Sequence, residues 1–190
     1  MKLKSLVAAA MLSLTSCAPA LAAEHAGRWS ISTNIPTWLL LGTANADIHY
    51  KAASRWSLQA GVKYNPFTYA PGGERQTHLR QLTPSLGARY WLDEAGSGWV
   101  LGAKLLASEY SVSYPRRGRY FDGDLAGAAV SAGYDFPLDG RWSLTFGAGA
   151  ALAYHRTTFY GGPVCGRIVD RRKGLALFPS NIMVSLCIKL

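Results

Sequence analysis

A chain of 190 residues with a formal net charge of +9 fits one domain, and only 16% of its residues are charged. Beyond its first residues it has no apolar run near the roughly twenty needed for a membrane helix, which excludes a helical integral membrane protein. An all-β architecture remains, either a soluble domain or a transmembrane barrel, whose signal per strand is weak by nature.

The start of the chain has the make-up of an export signal. Lys2 and Lys4 precede an apolar stretch over residues 6–14, and Ala20, Leu21 and Ala22 form a small-residue cleavage site. Cleavage after Ala22 leaves residues 23–190 as the barrel domain. Leu14-Thr15-Ser16-Cys17 also resembles a lipoprotein signal, with Cys17 as the lipidated residue in that alternative. Either route carries the chain out of the cytoplasm.

A first strand is predicted over residues 28–40, with Trp29, Ile31, Thr33 and Ile35 on one face and Ser30, Ser32 and Asn34 on the other. Pro36 marks an irregularity in it, Trp38 its far end, and Gly42 a turn. The second strand, 43–51, directs Ala44, Ala46, Ile48 and Tyr50 outward and Asn45, Asp47 and His49 inward. The third, 55–66, alternates Trp56, Leu58, Ala60, Val62 and Tyr64 against Ser57, Gln59, Gly61 and Lys63. A long polar loop, 67–78, follows.

The fourth strand, 79–92, sends Leu82, Leu86, Ala88, Tyr90 and Leu92 outward, with Thr83, Ser85, Gly87 and Arg89 inward. After a short turn at 93–97, the fifth strand, 98–110, directs Trp99, Leu101, Ala103, Leu105 and Ala107 outward and Gly102, Lys104 and Ser108 inward. A second long loop, 111–121, contains Arg116, Arg117 and Arg119. The sixth strand, 122–136, is small and smooth outside and ends in Tyr134 and Phe136. Asp139-Gly140 is a strong hairpin signal.

The seventh strand is the clearest: Trp142, Leu144, Phe146, Ala148, Ala150, Leu152 and Tyr154 share one face, opposite Ser143, Thr145, Gly147 and Gly149. The longest loop, 155–175, holds Arg156, Arg167, Arg171, Arg172 and Lys173. The last strand, 177–190, aligns Ile182, Val184, Leu186, Ile188 and Leu190.

This pattern predicts an eight-stranded antiparallel up-and-down transmembrane β-barrel of the outer-membrane type, with both termini periplasmic. Trp29, Trp56, Trp99 and Trp142 then form one aromatic girdle, and Trp38, Tyr64, Tyr110 and Tyr154 the other. The alternation alone also suits a soluble lipocalin-like lipid carrier with its apolar face inside. Large aromatics at the strand tips and small aliphatics between them favour the bilayer profile.

On the polar face, Asp47, His49, Lys63, Arg89, Lys104 and Asp135 are expected to form a lumen network that fixes barrel shape; a proton or ion path is the functional alternative. The proposed outer loops carry a basic patch of Arg116, Arg117, Arg119, Arg156, Arg171, Arg172 and Lys173. Such a rim suits the phosphates of lipopolysaccharide or an anionic surface partner. A lipid-modifying enzyme would need a hydroxyl, a histidine and an acid near that rim, for which His155, Thr157, Ser108 and Glu109 are candidates. His25, His49, His78 and His155 are scattered, so neither a metal nor another cofactor is expected. Cys165 and Cys187 fall at opposite ends of the barrel, beyond disulfide reach.

Several stretches resemble a known group. A Gly-Tyr-x-Phe turn followed by an Arg-Trp-Ser-Leu strand within residues 131–149, the strand 55–66, residues 87–91, Cys165-Gly166, and the closing Pro-Ser-Asn-Ile-Met-Val-Ser-Leu at 179–186 carry the resemblance. It is to uncharacterised Bacteroidetes outer-membrane proteins, domain of unknown function 3575. The resemblance implies a small outer-membrane barrel, sometimes encoded near fimbrial genes, with no established activity. Members often carry Cys-x-x-Cys in the last loop, where this chain has Gly162 in place of the first Cys. The expected role is therefore non-enzymatic, structural or adhesion-related, with lipopolysaccharide, a surface protein or a fimbrial component as partner and no nucleic acid. The competing expectation is the lipid-modifying enzyme.

Overall fold

The computed structural model describes residues 27–70, 77–114, 119–161 and 166–190. Residues 1–26, with Cys17 and His25, and Arg116, Arg117, Gly162 and Cys165 lie outside the described residues. Strand β1 (Trp29–Asn34) leads into helix α1 (Ile35–Leu41) and then β2 (Ala44–Lys51) and β3 (Trp56–Asn65). A short β4 (Thr68–Ala70) precedes β5 (Thr77–Trp91), β6 (Gly98–Tyr114), β7 (Arg119–Asp139), β8 (Trp142–Tyr160) and β9 (Ile168–Lys189). Because β3 and β4 both pair with β5, they share one position in the wall. Pairing of β1 with β9 and of β3 with β5 closes the sheet into an eight-stranded antiparallel barrel.

The wall turns its apolar side outward. Leu86, Leu105, Leu152, Leu177 and Ile182 are all exposed, while Ser57, Gln59, Ser108, Ser143, Thr145 and Ser185 are buried inside. A lipocalin-like arrangement, with the apolar face lining a pocket, is therefore not the one this chain adopts. Small residues keep the interior narrow, so that side chains fill it. At Gly61 a Cβ would collide with the Asp47 carboxylate lying over the neighbouring strand.

Three of the four tryptophans at one end pack against a tyrosine directly opposite on the next strand. The pairs are Trp29–Tyr50 and Trp56–Tyr90, each with ring centroids 4.9 Å apart, and Trp99–Tyr134 at 5.5 Å. Cross-strand aromatic pairs of this kind stabilise a sheet and pin its register. At the same end the β7–β8 hairpin turns through Gly140, whose φ of +40° is left-handed and suits glycine.

Two expectations from the sequence are corrected. The first strand stops at Asn34 instead of running to residue 40, and a helix replaces its far half. Asn34 caps this helix by accepting from the Thr37 N–H, Pro36 occupies its first turn, and Gly42 closes it in the left-handed conformation. The Asn45 side chain takes the place of a strand neighbour, accepting from the Asn34 N–H at 2.7 Å and donating to its carbonyl at 3.0 Å.

The long loops, in turn, are mostly wall. Strands β5 to β9 run for 15 to 22 residues and carry the barrel well past the second aromatic rim. His78, Ser111, Arg156, Arg171, Arg172 and Lys173 all lie in paired strands, and Arg119 opens β7 opposite Tyr114.

Candidate functional site

The barrel offers polar chemistry at three levels, starting at the tryptophan end. There Asp135 on β7 is buried and held by two donors, Trp91 Nε1 at 2.8 Å and the Thr145 hydroxyl. His49 Nε2 shares a 2.8 Å hydrogen bond with Ser32 Oγ. Arg89 Nε donates to Gln59 Oε1 at 2.7 Å. A pocket of about 100 Å³ opens among these groups, lined also by Ser57, Lys51, Cys187 and Lys189. Cys187 is a free thiol opposite Ser32 and Ser143.

Higher in the lumen, Asp47 is the acid within electrostatic reach of both Lys63 and Lys104. Lys63 Nζ also donates to the Ser180 carbonyl at 3.4 Å. The six residues expected to form one network share the interior at two levels, and Lys104 is within electrostatic reach of His49 and Arg89 across them. Asp47, Lys63 and Lys104 form the upper one; His49, Arg89 and Asp135 line the pocket below it. Neutral partners hold the lower charges, with Gln59 on Arg89 and Trp91 and Thr145 on Asp135.

The far end holds the third group. Tyr110 OH shares a 2.6 Å hydrogen bond with Thr157 Oγ1, which shares another of 2.9 Å with His155 Nδ1. Tyr110 therefore faces inward and is not part of the second girdle. Its parity with Ser108 on the same strand, two residues away, already places it there. Phe121, Phe159 and the Arg172 guanidinium continue the stack above it, with Arg172 5.3 Å from the Phe159 centroid. Ser108 pairs with Thr83 at 2.7 Å, and Glu109 takes the opposite face, across from Asp124. The structure thus joins His155 and Thr157 and leaves Ser108 and Glu109 apart from them.

Of the second girdle, Tyr64 and Tyr154 are exposed on the outer face, and Trp38 reaches it from the helix, its Nε1 donating to Thr33 Oγ1 at 2.7 Å. The basic patch is divided between two faces. Arg156 and Lys173 are cross-strand partners, and Arg156 also pairs with Asp124 at 3.0 Å. Arg172 instead shares the face of Thr157 and Phe159 and is bound to Asp170 at 2.7 Å. That contact, with the Arg171 N–H, holds the exposed Asp170 carboxyl below the usual range. The hydrogen bond that Tyr160 donates to Asp122 raises its phenol above the ordinary value.

Trp91, Gln59 and Ser32 carry contacts that the sequence reading gave no role, and Tyr110 carries one in place of its expected girdle role. Strand parity was the one signal able to find them, since each sits two residues from a recognised inward position or between two outward ones. No curated protein matches the chain. Residues 9–190 match the family described as Protein of unknown function (DUF3575), and the chain belongs to that family.

Proposed function

We propose that this chain is an exported outer-membrane barrel with a non-enzymatic, structural or adhesive envelope role, whose cationic far end contacts lipopolysaccharide. The observation that carries this reading is the direction of the apolar face. Trp56, Trp99 and Trp142 at one level, with Tyr64 and Tyr154 at another, bracket a belt of exposed leucine, valine and isoleucine. A water-exposed belt of that extent is costly, whereas a bilayer solvates it and its aromatic borders suit the interfaces. A strand needs only about 9–11 residues to cross, so the 19 and 22 residues of β8 and β9 leave wall standing outside.

Arg156, Arg171 and Lys173 stand on that projecting wall, exposed and near the level at which lipid phosphates would lie. Arginine meets phosphate through charge-assisted, paired hydrogen bonds. Titrating the refolded barrel with lipopolysaccharide tests the assignment. Replacing Arg156, Arg171 and Lys173 together with Gln should weaken binding about tenfold or more and flatten its salt dependence. Unchanged binding by that variant would remove the proposal.

The enzyme reading retains one observation in its favour, the Thr157 hydroxyl within 2.9 Å of His155 Nδ1. Thr157 is oriented by Tyr110, however, and among the described residues no carboxylate is bonded to His155 to orient it as a base. Deletion followed by lipid A mass analysis discriminates the two. A shifted profile restored by the wild type and not by His155→Ala would establish chemistry; an unchanged profile fits the envelope role.

A further inference from the structure

The pocket at the tryptophan end has a feature that barrel stability does not explain. Ser57 and His49 line it, each only 4% exposed, and Ser57 Oγ and His49 Nδ1 have no hydrogen-bond partner among the described residues. Buried polar atoms left in that state are costly and rare, so two on one pocket wall point to something that occupies it. In the tautomer in which Ser32 donates to His49 Nε2, Nδ1 carries the proton and is a donor. Ser57 adds a hydroxyl that can donate as well.

The surrounding charge is positive. Arg89 lies directly opposite Ser57, and its Nε contact with Gln59 fixes the guanidinium plane. Lys189 and Arg28 line the same mouth. Lys51 is also there, paired with Glu94 at 3.3 Å. The one acid of the lining, Asp135, already accepts from Trp91 and Thr145, one donor on each oxygen. A volume of about 100 Å³ exceeds the roughly 30 Å³ share of a single water. Three of the donors come from β2, β3 and β5, which are neighbours in the wall, and Lys189 comes from β9, with β1 between it and β2. Several donors grouped with arginine and lysine suit an oxyanion that offers several acceptor oxygens.

We propose that this pocket binds a small phosphate-class oxyanion, held by Ser57 Oγ, His49 Nδ1 and the Arg89 guanidinium, with Lys189 at the entrance. The same chemistry is offered by free phosphate and by a phosphomonoester headgroup. Isothermal titration of the full refolded barrel with inorganic phosphate and, separately, glycerol phosphate tests both sources. Saturable heat with either anion is expected; preference for glycerol phosphate assigns the site to a headgroup-type ligand, and preference for inorganic phosphate to the free ion. Ser57→Ala and Arg89→Gln should each weaken binding about tenfold. Lys189→Gln, at the mouth, serves if Arg89→Gln fails to fold, with closure of the barrel checked by gel mobility. No heat with either anion up to tens of millimolar, leaving a pocket filled by water only, overturns the proposal. So does wild-type affinity in both Ser57→Ala and Lys189→Gln.

Discussion

Trp91 Nε1 donates to Asp135 Oδ2 at 2.8 Å across the interior of the barrel, with β6 running between their strands. Both residues are buried, so removing the donor leaves the carboxylate one hydrogen bond short. Trp91→Phe keeps most of the ring and removes the donor. The expected loss is about 1–3 kcal/mol, read as a lower midpoint of chemical unfolding. An unchanged midpoint would mean that Thr145 alone suffices to hold the carboxylate.

Gly61 leaves the space that Asp47 occupies, so Gly61→Ala forces the carboxylate away from its place near Lys63 and Lys104. A cost of about 1–3 kcal/mol is expected. Combining it with Asp47→Ala separates steric from electrostatic effects. The double variant should be more stable than the sum of the two single losses, because the collision then has no partner. Strict additivity would show that the two positions do not communicate.

Asn34 links three elements. Its Oδ1 accepts from the Thr37 N–H of α1, and its Nδ2 donates to the Ile182 carbonyl of β9 at 3.0 Å. Asn34→Ala should cost about 1–2 kcal/mol through the lost cap and release the helix from the β1–β9 seam. Hydrogen exchange provides the check: amides of residues 35–41 should exchange faster, while those of β6 and β7 keep their protection.

The Tyr160–Asp122 contact sets a pH dependence at the far end. The carboxylate accepts the phenol hydrogen and so favours the protonated phenol, raising its folded-state pKa above the unfolded value. Its contribution to stability is complete below the ordinary tyrosine pKa and is lost as pH rises through the higher folded value. Absorbance titration should show Tyr160 ionising late, identified by difference from Tyr160→Phe. Asp122→Asn should return it toward ordinary behaviour. Equal titration in both backgrounds would contradict the assignment.

Most of the barrel was legible where one face of a strand is apolar and the other polar. Residues 56–65 and 142–154 show that alternation, and their strands appear with the expected facing. In the upper wall that alternation is lost, so the sequence there predicts loop. Between Arg156 and Tyr160, and again from Asp170 to Lys173, both faces are polar or mixed, so the period of two gives no contrast although the backbone remains paired. Helix α1 was missed for a different reason. Asn34, Pro36 and Gly42 are cap, first-turn and terminator residues, but the alternation running into Asn34 made Pro36 look like a strand irregularity. The interior contacts of Trp91 and Asp135 depend on residues separated by 44 positions; parity gives the shared face but not the meeting.

The central claim is that the exposed apolar belt is solvated by a bilayer. Cell fractionation combined with gel mobility before and after heating in detergent tests it most directly. The account predicts recovery in the outer-membrane fraction as a band whose mobility changes on heating. Recovery as a soluble periplasmic protein, with no heat-dependent shift, would contradict it.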